Sequence, residues 1–77
     1  MLINQKIKLN AVEDVRDLVS CTKLCQHDVD LSYDRVLIDA KSIMGILAMD
    51  LGRELTLSYS PEDHKILRPV IGRFATV

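Results

Sequence analysis

The residues best placed to do chemistry lie in Ala40-Lys41-Ser42-Ile43-Met44-Gly45-Ile46-Leu47. This stretch reads as the end of a strand running into a short helix. Ser42 stands where an N-cap belongs, because its hydroxyl can accept a hydrogen bond from an otherwise unpaired N–H of the first turn. Ile43, Met44, Ile46 and Leu47 make the turn apolar on more than one side. A helix this short buries one face, so part of that surface should stay exposed and form a docking patch of Ile43, Met44 and Leu47. On position alone Ser42 is only a cap, worth about 1 kcal/mol. The plainer reading of the patch is core, with Met44 and Leu47 packed under the following strand.

Other chemistry-bearing residues make weaker cases. Cys21 and Cys25 lie four apart on one side of a predicted helix, but structural zinc normally needs four good ligands. A disulfide at that spacing within one helix is geometrically awkward. Cys25 is therefore expected in the core and Cys21 at its edge. His27 and His64 form no recognisable ligand pair, so no metal or cofactor is expected. Asp28, Asp30, Asp34 and Asp39 alternate along a hairpin and could cluster as catalytic acids. Solvated carboxylates on the wet face of a sheet explain them better, with no paired base or glycine-rich phosphate loop beside them. An enzyme is not expected.

These residues sit in a chain of 77 with 48% hydrophobic and 27% charged residues, the balance of one small globular domain. A net charge of −1 offers no electrostatic attraction to nucleic acid or to a membrane surface. No apolar run approaches the roughly 20 residues that span a bilayer. The start lacks the apolar core and cleavage site of a signal peptide, and a cytoplasmic location is expected.

Alternation from Leu2 to Leu9 predicts a first strand. Asn10, with Glu13 three residues on, predicts a capped helix running to about Leu24. Its stripe of Val12, Val15, Leu18, Val19, Thr22 and Cys25 should face the core. Val29, Leu31 and Tyr33 mark a second strand, Asp34-Arg35 a tight turn and Val36–Asp39 a third strand. The Ser42 helix is expected to end near Gly52, a natural C-cap. Leu55, Leu57 and Tyr59 form a fourth strand. Ser60, Pro61 and the following acids open a last helix. Pro69 should kink or stop that helix near Leu67-Arg68 and leave a loose or separately packed tail. The order βαββαβα implies an α+β open-faced sandwich, a four-stranded antiparallel sheet with three helices on one face.

That order and the residues Lys41-Ser42-Ile43-Met44-Gly45 resemble the histidine-containing phosphocarrier (HPr) family of the bacterial sugar phosphotransferase system. The similarity runs from the first strand through Ile38-Asp39-Ala40 to Glu54-Leu55-Thr56-Leu57 and into the last helix. Lys-Ser-Ile-Met-Gly looks like the regulatory serine site of Gram-positive members. The resemblance implies one HPr-like domain over residues 1–77. The family's Gly-x-His-x-Arg-Pro signature is absent. Counting back from Ser42 without gaps, its histidine falls on Ala11, its arginine on Glu13 and its proline on Asp14. Residues 1 to 26 contain no histidine, and carboxylates at that helix start would repel a phosphoryl group.

The resemblance therefore implies a relative that carries no phosphate on histidine, similar to the catabolite-repression type, in which a dedicated kinase modifies the serine and the protein binds a transcriptional regulator. Ser42 would be the regulatory phosphorylation site, and Ile43, Met44 and Leu47 the partner surface. The alternative is a degenerate HPr-fold interaction or scaffold module with no phosphorylation. A homodimer, with the first strand exchanged between copies, stays open.

Overall fold

The computed structural model describes residues 1–76. Four strands, β1 (Ile3–Lys8), β2 (Asp30–Tyr33), β3 (Val36–Asp39) and β4 (Glu54–Tyr59), form one sheet in the order β1-β4-β2-β3. Every neighbouring pair is antiparallel. Helices α1 (Val12–Thr22), α2 (Ile43–Leu47) and α3 (His64–Phe74) lie on one face, with a single 3₁₀ turn at Pro61–Asp63 leading into α3. The element order and the α+β open-sheet architecture are those expected from the pattern. Ile7, Leu31, Leu55, Leu57 and Tyr59 point from the sheet into the core, where Val15, Leu18, Val19, Ile46, Leu67, Val70 and Phe74 meet them from the helices. Alternate residues Asn4, Lys6 and Lys8 stay in water, which is the period-2 arrangement of a sheet with one wet face.

Several boundaries depart from the sequence expectation. The N-cap of α1 is Ala11, not Asn10. Alanine has no side-chain acceptor, so Asp14 does the capping: its Oδ2 accepts from the N–H groups of Asn10 at 3.0 Å and Ala11 at 3.2 Å. The shift places Val12 at the solvent side, where it is exposed. The helix ends at Thr22 rather than Leu24. Buried Thr22 donates its hydroxyl to the Ala40 carbonyl at 2.7 Å, tying α1 to the segment that leads to Ser42. Gly52 does not cap α2, whose C-cap is Ala48. Instead Gly52 takes φ +92° in the turn before β4 and donates its N–H to the Leu9 carbonyl at 2.7 Å. Asp34, at φ 50°, makes the hairpin turn, a conformation that aspartate tolerates better than most residues.

Pro69 does not stop α3, which runs unbroken to Phe74. The proline removes the bond to the Lys65 carbonyl, a cost of about 3 kcal/mol. Lys65 and Pro69 are both exposed, so water can take the freed carbonyl. On the opposite side Leu67, Val70 and Phe74 are buried, and each contributes about 1.5–3 kcal/mol. Burial outweighs the proline. The tail is not loose either: Ala75 bridges Ile7, and the Thr76 N–H donates to the Lys6 carbonyl at 3.1 Å.

Candidate functional site

Ser42 caps α2 as its position in the chain predicts. Its backbone is extended at φ −99° and ψ 104°, and its Oγ accepts from the Gly45 N–H at 3.2 Å. Asp39 prepares this geometry by accepting the Lys41 N–H on Oδ1 at 2.9 Å and the Ser42 N–H on its carbonyl at 3.0 Å. Lys41 Nζ reaches back to the Cys25 carbonyl at 3.3 Å. Gly45 eases a close approach: a Cβ there would stand 3.2 Å from Ile38 Cγ2 and 3.3 Å from Ser42 Oγ, tight enough that one of them must shift. The glycine lets a five-residue helix lie directly on β3.

The three apolar residues expected on the surface separate in space. Met44 is 81% exposed and Leu47 42% exposed. Ile43 is half-buried and packs against the core, while Ile46 anchors the helix at full burial. Ser42→Ala is expected to lower stability by about 1 kcal/mol through loss of the cap, read from the urea midpoint at unchanged m-value.

Ala11 is half-buried at the start of α1. The bond from Gly52 to Leu9 brings the loop after α2 against the residues that precede it, so the Ala11 position and the α2 surface belong to neighbouring parts of the molecule. The N–H groups of Asn10 and Ala11 there are held by the Asp14 carboxylate, which sets a negative charge at this helix start.

The remaining titratable groups are not gathered with Ser42. His27 lies at the surface with Nε2 3.4 Å from Glu62, and His64 Nδ1 is 2.8 Å from the Tyr59 hydroxyl. Cys21 and Cys25 are free thiols. Burial, then the Asp63 charge and Cys21, push the Cys25 thiol pKa up, and Lys41 only partly offsets them, so Cys25 is a poor nucleophile. Among the described residues no group of His, Cys, Asp and Glu side chains could hold a metal ion. No helix among them is long and apolar enough to cross a membrane.

Asp63 behaves unlike an ordinary first-turn acid. It is 1% exposed and accepts the N–H groups of Gln26 at 3.0 Å and His27 at 3.1 Å, which fixes the loop between α1 and β2. Burial raises its pKa, but those two hydrogen bonds, with the charges of His27 and Lys41, outweigh burial and hold it below the usual carboxylate value. Three adjacent polar residues at a helix start gave no local sign of which would turn inward. Exposed Leu37 on β3 also went unforeseen, although Leu37 and Ile38 cannot both face the core from one strand.

No family model and no curated protein matches the chain. A solved structure does: the phosphocarrier protein HPr from Bacillus anthracis strain Ames superposes with a TM-score of 0.70 at 17% identity, covering 95% of this chain and 96% of that one. The chain has the HPr fold. At this identity the likeness concerns the fold alone. Within the HPr fold, the segment carrying Ser42 and α2 is the short helix before the fourth strand, and Ala11 stands at the start of the first helix.

Proposed function

We propose that residues 1–77 form one HPr-like domain of the sugar phosphotransferase type. It carries no phosphate on histidine and acts as a regulatory, partner-binding module through Ser42 and the apolar surface of α2. One observation carries this reading: Met44 and Leu47 stand exposed on the helix that Ser42 caps. Exposed apolar side chains beside a modifiable hydroxyl allow a partner to be gained or lost by one charge change. Phosphate on Ser42 would bring oxygens to the N–H that Oγ now accepts, at the favourable end of the helix dipole.

Alanine at position 11 supplies no nucleophile, and the Asp14 carboxylate, bonded to the N–H groups of Asn10 and Ala11, would repel a phosphoryl group at this helix start. The partners would be a serine kinase and a transcriptional regulator of sugar use, in a bacterial cytoplasm, and the module would have no catalytic activity of its own. A second reading, an interaction module without phosphorylation, draws on the fact that Ser42 Oγ is half-buried and already engaged by Gly45.

The test incubates the protein separately with enzyme I plus phosphoenolpyruvate and with the HPr serine kinase plus ATP, followed by mass spectrometry. Phosphate on Ser42 from the kinase alone is expected. Phosphate on His27 or His64 from enzyme I would overturn the proposal, and no phosphate from either would leave the unmodified interaction module.

A further inference from the structure

The two edges of the sheet are treated differently. The β1 edge is met by the chain's own tail, through the Ile7–Ala75 bridge and the Thr76 to Lys6 hydrogen bond. The β3 edge carries no strand among the described residues. Its backbone orientation follows from one bond: the Ala40 N–H donates to the Val29 carbonyl of the segment entering β2. Hydrogen-bonding direction alternates along an antiparallel strand. Val36 and Ile38 therefore also turn toward β2, while Leu37 and Asp39 turn to the free edge, where the Asp39 carbonyl already accepts the Ser42 N–H.

The side chains on that edge are unmatched in a self-complementary way. Leu37 and Asp39 share one face of the strand by alternation, Arg35 stands in the turn just before it, and all three are exposed, Leu37 by 70%. Arg35 makes no ion pair among the described residues. At the other end Asp39 stands directly opposite Asp30 on β2, a like-charge cross-strand pair that is unfavourable without a cation beside it.

We propose that the β3 edge is a homodimer interface, in which β3 of a second copy adds antiparallel about a two-fold axis at Leu37. In this register Leu37 faces Leu37 of the other copy, with both backbones offering the N–H and C=O groups that a hydrogen-bonded pair exchanges. Arg35 of each copy falls opposite Asp39 of the other, beside the Asp30 carboxylate. Moving the register by two residues in either direction sets Leu37 against Arg35 or against Asp39. Moving it by four places like charges at the axis. Only the Leu37-centred arrangement pairs apolar with apolar and acid with base. Short, charged edges usually discourage pairing; here the charges are opposite in sign and placed to meet. The result is a continuous eight-stranded sheet.

The test is sedimentation velocity from about 10 µM to about 1 mM, the range in which a contact this small would associate. The full chain is expected to shift toward dimer with rising concentration, and less so at high salt. Leu37→Lys and Arg35→Glu alter exposed side chains, so circular dichroism should be unchanged, while association weakens by about tenfold or more. A Leu37→Cys variant in a Cys21→Ser background should trap a 37–37 disulfide on mild oxidation, because the Cα atoms of such a pair lie about 5.5 Å apart. A monomer throughout the range would overturn the proposal. So would a dimer that survives Leu37→Lys and traps no such disulfide, as exchange of β1 would produce.

Discussion

Replacing Asp63 with alanine is expected to lower the unfolding free energy by about 2–3 kcal/mol, since a buried charged acceptor is lost and two N–H groups lose their partner. The carboxylate is buried and holds Gln26 and His27 from 37 and 36 residues away along the chain, so the loop between α1 and β2 should loosen with it. Asp63→Asn should cost less, because its one amide oxygen keeps one of the bonds. Urea unfolding at neutral pH measures both. The pH dependence carries a definite sign. Asp63 has a folded pKa below its ordinary value of 3.8. Its contribution is therefore complete above about 4, the unfolded value, and is lost as pH falls through the lowered folded value. The wild-type advantage over Asp63→Asn should persist at pH 7 and shrink as the solution is acidified below about 4. An advantage that stays constant down to pH about 2 would show that the charge on Asp63 is not what stabilises the loop.

Ile46→Ala should act on the candidate surface without touching it. Ile46 is the buried residue of α2, a helix of five residues. A helix of that length cannot hold itself in water, because nucleation is unfavourable and few bonds follow it. Removing the anchor should cost about 3 kcal/mol of global stability through the cavity it leaves. It should also speed hydrogen exchange at Gly45 and Ile46 beyond what the global loss explains. Ser42, Met44 and Leu47 would then lose their common frame. If exchange there rose only in step with global unfolding, α2 would be held by its cap and by Ile38 contacts rather than by Ile46.

Much of the fold was legible in local pattern. Strands that bury one face must alternate, and β1, β2 and β4 do. Helix starts need an acceptor for free N–H groups, and Ser42 and Ser60 supply it from their side chains. Where a start had several polar neighbours the reading slipped: Asn10 and Glu13 suggested a cap, but Ala11 with Asp14 makes it. The two patterns differ by one residue, and only the docking of α1 on the sheet selects between them.

Pro69 shows the limit from the other side. Its local cost is real, and a chain position cannot reveal that the freed Lys65 carbonyl would face water while Leu67, Val70 and Phe74 found a core to enter.

By itself the chain determined the order of elements, the capped helix at Ser42 and the absence of any histidine before residue 27, because caps, alternation and composition are properties of neighbouring residues. The tertiary structure alone decided that Met44 and Leu47 stay in solvent while Ile43 leans on the core, that Asp63 turns inward to the loop after α1, and that β3 is left as an edge. Each of these depends on which surfaces meet across long stretches of chain, and burial is assigned by that meeting.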